Sequence, residues 1–296
     1  MPKRVLLQLD CDPQPSTFDA VVAVDAGVDV LLRHGGVTPE NAVPLVHGVM
    51  FTRGGADLAS TAIFVGGSDV AAAEAVAARV RDTFFGSARV GVLLDPSGAT
   101  TTAAAAVVAA GRHLALEPGA VPRCRALGLG GTGPVGRRVT RLLARRGAAV
   151  HVASRSLARA EAAAGAVGAQ VAGADVRPLA WPATLAADGA AGRVLVTADL
   201  VVAAGAAGAV LLDAGGRGLA RAARVLVDLN AVPPAGIAGI VPTDEGRRDG
   251  AALLYGAVGV GGLKMAIHRA AIERIYAEPA AFLDADDLLA LGQALA

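Results

Sequence analysis

Short apolar runs alternate along the chain with longer stretches of helical periodicity, a pattern that predicts parallel strands joined by crossover helices. In the first third, VLLQLD (Val5 to Asp10), TAIFVGG (Thr61 to Gly67) and RVGVLLD (Arg89 to Asp95) read as buried strands, each followed by a turn and a helix. Ser68 or Asp69 is placed to cap the helix VAAAEAVAARVRDTFF, where Val76, Val80 and Phe84 recur every four residues. Thr100, Thr101 and Thr102 open another helix of the same kind. The segment from Arg112 to Arg125, broken by prolines, marks a domain boundary. Beyond it RALGLGG, AAVHVAS, ADLVVAAG and RVLVDLN fall at the spacing of a second unit, so the fold class is α/β throughout.

Composition narrows the picture. A chain of 296 residues with 54% hydrophobic but only 3% aromatic content must build its core from Ala, Val and Leu. With Lys+Arg at 27 against Asp+Glu at 26, there is no long-range field to gather nucleic acid or an anionic membrane, and neither is an expected partner. Cys11 and Cys124 are too few for a disulfide framework and lack metal-ligand spacing, so no metal is expected and a reducing, cytoplasmic setting is. The apolar start of MPKRVLLQLDCDP is interrupted by Gln8 and Asp10, unlike a signal peptide, and TTAAAAVVAAG is about half the length of a membrane span.

The sharpest motif is LGLGGTGPVGRRVTRLLARRG. Gly131, Gly133 and Gly136 follow an apolar strand and open a helix, the order of elements that a dinucleotide fingerprint requires. Gly131 is assigned to the tight turn, Gly133 to the close approach of a pyrophosphate, and Gly136 to helix–sheet contact; Thr132, Pro134 and Val135 complete the loop. Phosphates would rest on the free N–H groups of the helix. The arginines at 137, 138, 141, 145 and 146 read as its solvent face. At the end of the next strand, where NAD enzymes place Asp or Glu on the ribose hydroxyls, stand Ser154, Arg155 and Ser156. A guanidinium between two hydroxyls suits a 2′-phosphate, so NADP is expected, with NAD possible. Ala204 and Gly205 in VVAAGAAG follow a strand where backbone passes close to the cofactor, and Asn230, after RVLVDL, is a candidate near the nicotinamide.

The blocks PSTFDAVVAVDAG, VTPENAVPLVHGVMFTRGG, STAIFVGGSD, GTGPVG, DLNAVPPAGIAGI and GAVGVGGLKMAIHRA, in this order, resemble the NADP-dependent methylene-tetrahydromethanopterin dehydrogenases of methylotrophic bacteria nearly end to end. The resemblance implies relatedness to methylene-tetrahydrofolate dehydrogenases, a homotrimer, and a pterin held beside the nicotinamide in a cleft between two domains. It also implies that the last helix, from Lys264 onward, returns to the first domain. The expected domains are an N-terminal pterin domain, 1–115 completed by 263–296, and a Rossmann-like NADP domain, 120–262. One departure is that the family's asparagine-rich turn near DPSGATTTAAA carries Ser97 and Thr100 here.

The implied reaction moves a hydride from the methylene bridge of methylene-tetrahydromethanopterin, or also of methylene-tetrahydrofolate, to NADP. No proton need be taken, so the task is alignment and electrostatics, which agrees with a chain that shows no nucleophile elbow or metal cluster. Asp19 is a carboxylate for the developing cation, or a first-turn residue favoured by the helix dipole. Arg53 in FTRGG would clamp a substrate acid group or bridge a solvated loop. Ser97, Thr100 and Thr102 would contact substrate or cap a helix. Lys264 and His268 lie four apart beside the predicted stripe Val260, Leu263, Ile267, Ala270 and Ile275, after the glycines 259, 261 and 262 that would admit a ligand. Both are candidate catalytic residues, against a snorkelling lysine and a core histidine. The competing readings are a shikimate-dehydrogenase-like NADP-dependent carbonyl reductase, in which Lys264 and an aspartate exchange protons, and an NADP-binding sensor without turnover.

Overall fold

A computed structural model describes residues 2–296. By their internal contacts these fall into two compact units, one formed by 2–101 with 265–295 and the other by 102–264 with 296.

The first unit contains β1 (Val5–Asp10), α1 (Thr17–Asp25), β2 (Val30–His34), α2 (Pro39–Thr52), β3 (Thr61–Gly66), α3 (Val70–Thr83) and β4 (Gly91–Leu94). α4 (Ala99–Gly111) then runs on into the second unit. β1, β3 and most of β4 are buried, which is why they read as mainly apolar runs. α3 buries Val70, Ala73, Val76, Ala77 and Val80 and is capped by Asp69, whose Oδ1 accepts from Ala71 and Ala72. Ser68 is not the cap: its N–H and hydroxyl both donate to Asp12.

The second unit carries β5 (Arg125–Leu129), α5 (Pro134–Arg145), β6 (Ala149–Ser154), α6 (Leu157–Gln170), β7 (Asp175–Ala180), α7 (Ala190–Thr197), β8 (Leu200–Ala203), α8 (Ala214–Leu219), β9 (Val225–Asp228), β10 (Glu245–Asp249) and β11 (Ala252–Tyr255). Residues 112–125, where the sequence suggests a boundary, form the approach to β5 within this unit. The sheet order is β10-β11-β9-β8-β5-β6-β7, parallel except for β10 at the edge. Chain order reverses between β5 and β8, so the carboxyl ends of these two strands form the crevice where an open α/β sheet binds ligands.

α9 (Gly261–Ala277) begins in the second unit and continues into the first, where β12 (Phe282–Leu283) and α10 (Ala285–Leu295) follow. β12 pairs with β4 and completes a parallel sheet of order β12-β4-β3-β1-β2, so the C-terminal helices do return to the first sheet. Gly91 makes this possible, because a Cβ there would lie 2.1 Å from the carbonyl oxygen of Ile275 on α9. Among the described residues no helix is long and apolar enough to cross a membrane.

Candidate functional site

The turn after β5 is built by glycines with different duties. Gly130 has φ of +68°, and a Cβ there would meet the Cα of Gly205 at 2.7 Å, so only glycine makes the turn. This corrects the assignment of the tight turn to Gly131, whose own missing Cβ leaves room for Val152 on β6. Gly136 sits against Gly130 and Gly131, where a Cβ would approach both to 2.7 Å, and so brings α5 onto the turn. Gly133, the residue before α5, is different. A Cβ on it would make only ordinary contacts, 3.6 Å to the oxygens of Ala204 and Gly130, so its bareness serves whatever approaches from outside.

That approach is a cavity of about 660 Å³ at the carboxyl ends of β5, β6 and β8. Thr132, Gly133 and Pro134 line it from the glycine turn, Ser154, Arg155 and Ser156 from the end of β6, and Ala204 and Gly205 from the end of β8. Gly131, Val135 and Gly136 stand outside the lining, the two glycines shaping the turn from behind. Ser156 spends its hydroxyl as the cap of α6, accepting from the N–H of Arg159, and Ser154 Oγ accepts from the N–H of Ser156. Arg155, exposed between these two serines, lines the cavity, as does Arg159 one helical turn further on. The bare loop, the start of a twelve-residue helix and two guanidiniums fit a dinucleotide's phosphates.

Several lining residues escaped the sequence reading. Gly130 was hidden in a glycine run with two possible registers. Arg159 becomes a neighbour of Arg155 only once α6 starts at Leu157. Trp181, the chain's single tryptophan, follows β7; its backbone N–H donates to Ser154 O at 2.8 Å and its indole N–H to Leu211 O at 2.9 Å. Nothing local in AWPAT announces that placement.

Other candidates sit elsewhere. Asn230 does not line the cavity: its amide nitrogen donates to Pro234 O and its oxygen accepts from Val232 N–H, each at 3.0 Å. The loop it belongs to hangs on buried Asp228, which accepts from the N–H groups of Asn230 and Ile237. The glycines before α9 are not all bare for a ligand. A Cβ on Gly259 would collide with Asp244 O at 1.8 Å, whereas Gly261 and Gly262 face open space.

In the first unit, Arg53 is fixed by its Nη1, which donates to Lys3 O, Ser60 O and Thr61 Oγ1. These acceptors lie at the amino ends of β1 and β3, opposite the edge where such sheets collect ligands, so a substrate clamp there is not what the geometry supports. Asp19 lies in the first turn of α1, its N–H donating to the Ser16 cap. After β4, the cap of α4 is Asp95 and not the threonines. Its fully buried carboxylate accepts from the N–H groups of Thr100 and Thr101 and, at 2.7 Å, from the Thr101 hydroxyl. Thr100 is buried with its hydroxyl unpaired in the structure, Thr102 is half-exposed, and Ser97 holds a left-handed backbone with φ of +55°. Lys264 is half-buried in the first turn of α9. His268 is fully buried and stacks on Phe64 with ring centroids 5.7 Å apart. It belongs inside the stripe that α9 buries, with Ile267, Ala271, Ile272 and Ile275, and not beside it, while Leu263 and Ala270 are only half-buried.

Residues 17–97 match the family model described as methylene-tetrahydromethanopterin dehydrogenase, N-terminal. The bifunctional protein MdtA of Methylorubrum extorquens is 40% identical over 296 residues, which is 100% of both chains. The chain belongs to the methylene-tetrahydromethanopterin dehydrogenase family. A second protein of that organism, named NAD(P)-dependent methylenetetrahydromethanopterin dehydrogenase, is 32% identical over 114 residues, or 38% of each chain. Among solved structures, the transhydrogenase from Sinorhizobium meliloti is similar over 98% of this chain and 94% of that one, with 14% identity and a TM-score of 0.48. Family membership favours the methylene dehydrogenase reading over the carbonyl reductase.

Proposed function

We propose that this chain oxidises the methylene bridge of methylene-tetrahydromethanopterin to the methenyl form. The observation that carries the proposal is relatedness over the whole length, 40% across 296 residues, in a chain whose glycine turn is shaped to pass a pyrophosphate. When bound, the nicotinamide ring supplies the hydride acceptor. The chain's own residues hold and orient. Gly133 lets backbone N–H groups near α5 reach the phosphates, and the Gly130–Gly205 contact fixes the distance between the glycine turn and the end of β8.

NADP is the proposed cofactor in preference to NAD. The end of β6 offers Ser154, Arg155 and Ser156 with no carboxylate among them, and Arg159 adds a second guanidinium to the same cavity. The first unit is the proposed seat of the pterin, with His268, Asp19, Ser97 and Thr100 as the residues to test there; Thr102 and Lys264, the first and last residues of the segment that forms the second unit, are tested beside them. Methylene-tetrahydrofolate is a second candidate substrate, and the word bifunctional in the name of the full-length relative supports looking for one. Self-association, as a homotrimer, belongs to the same reading. Phe18, Val21 and Val24 on α1 are exposed, as is Leu32 on the edge strand β2. A cytoplasmic setting fits the two free thiols.

Turnover measured with both methylene-pterins and both nucleotides tests the proposal. Simultaneous growth of reduced nucleotide and methenyl product, fastest with methylene-tetrahydromethanopterin and NADP, is the expected result. Nucleotide binding with no turnover on either pterin would leave only a sensor.

A further inference from the structure

Two of the glycines that precede α9 are matched to a folded turn, and that turn is built by Asp244. Its carboxylate, almost wholly buried, accepts from the N–H of Val241 at 2.9 Å and from Nε and Nη2 of Arg247 at 2.5 and 2.9 Å. Arg247 Nη2 also donates to Gly239 O at 2.6 Å, which closes residues 239–247 on themselves. The carbonyls of this turn then hold the chain that leads into α9. Pro242 O accepts from the N–H groups of Val258 and Gly259, and Asp244 O from that of Gly256. The two segments touch without clearance: a Cβ on Gly256 would stand 2.1 Å from Val241 O, and one on Gly259 1.8 Å from Asp244 O. Gly261 and Gly262 meet nothing within 4 Å, so the fixed point of the segment is the Asp244 turn. From there Val260 N–H donates to Gly256 O and Lys264 N–H to Val260 O, so the hydrogen-bond ladder of α9 starts on the clamped residues and carries Lys264 in its first turn. All of these residues belong to the second unit.

A helix that starts against a rigid turn cannot slide or rotate without driving backbone into backbone, so the turn sets where its first side chains stand. We propose that Asp244, paired with Arg247, is a positioning residue for Lys264, fixing the start of α9 and with it the place at which the Lys264 ammonium meets substrate. The inference rests on Lys264 as a substrate-contacting residue, which is part of the proposed function. Asp244 acts through the backbone of 256–260.

A double-mutant cycle on kcat/KM for methylene-tetrahydromethanopterin with NADP tests this, using Lys264→Ala, Asp244→Asn and the double variant below their melting transitions. NADP binding is measured beside it by calorimetry. Asp244→Asn keeps an acceptor for Val241 N–H and loses the charge that draws Arg247. It should lower kcat/KM by roughly ten- to a hundredfold, the cost of misplacing a group that aligns substrate. Its affinity for NADP should stay within about twofold of the wild type. In the Lys264→Ala background the same substitution should change kcat/KM by less than about threefold, because the group it positions is gone. Arg247→Lys keeps the charge without the two-pronged contact; it should show a smaller loss with the same dependence on Lys264, and it carries the cycle if Asp244→Asn does not fold. A loss of equal size in both backgrounds, an unaltered kcat/KM, or a fall in NADP affinity large enough to account for the loss would each overturn the inference. Wild-type turnover by Lys264→Ala would instead remove the reading of Lys264 itself, and this inference with it.

Discussion

Gly130 and Gly205 meet backbone to backbone at the ends of β5 and β8, so closely that a Cβ on the first would stand 2.7 Å from the Cα of the second. Two substitutions separate this structural duty from ligand binding. Gly130→Ala adds both a clash and a side chain at φ of +68°, and should lower stability by about 1 to 3 kcal/mol in a denaturant titration. Gly133→Ala meets neither problem. It should unfold within about 1 kcal/mol of the wild type yet lose NADP affinity by about tenfold or more, read by calorimetry. A Gly133→Ala protein that binds NADP normally would show that the phosphates lie elsewhere.

Arg155 decides between nucleotides in this account. Arg155→Ala should weaken NADP binding by roughly ten- to a hundredfold, the range for hydrogen bonds to a charged group, and leave NAD nearly unaffected. Equal losses for both nucleotides would mean that Arg155 serves the base or the ribose and not a 2′-phosphate.

Asp95 gathers three donors in a site with no exposure to water. Asp95→Ala leaves two buried N–H groups at the start of α4 without an acceptor and should cost about 2 to 4 kcal/mol. Thr101→Val, which replaces the hydroxyl with a methyl group and keeps both backbone bonds to Asp95, should cost less, about 1 kcal/mol. Chemical denaturation of both variants checks the order.

The imidazole of His113 shares a hydrogen bond of 2.7 Å with the Tyr255 hydroxyl. Burial, and then the guanidiniums of Arg112, Arg224 and Arg248, hold it below the ordinary histidine range. The unfolded chain takes up a proton near the ordinary value of about 6.5 and the folded one does not, so stability is complete above that pH and falls as pH drops through it. Half-buried His151, lowered for the same first reason, acts in the same direction. Melting temperature should therefore decline from about pH 7.5 to about pH 5.5, and His113→Gln should flatten part of the decline.

Much of the fold was legible because parallel strands buried on both faces leave short, mainly apolar runs, as in VLLQLD and RVLVDL. The glycine turn was legible as a motif but not in register, since the choice between Gly130 and Gly131 depends on which carbon approaches Gly205. His268 could not be placed because α9 buries a wider face than the apolar stripe suggests, with room for an imidazole against Phe64. Arg53 and Asn230 looked available in the sequence and are spent on nearby backbone, Arg53 on carbonyls and Asn230 on turn groups on either side. Trp181 reaches the cavity only through long-range folding, which brings the ends of β6 and β7 beside the loop after β8.

A chain that aligns a methylene carbon with its oxidant and takes no proton passes the hydrogen of the bridge directly to the nicotinamide. Methylene-tetrahydromethanopterin deuterated at the bridging carbon tests this most directly, with the reduced nucleotide isolated and its isotope content measured. The deuterium should be recovered on the nicotinamide ring; its appearance in solvent water would rule out direct transfer.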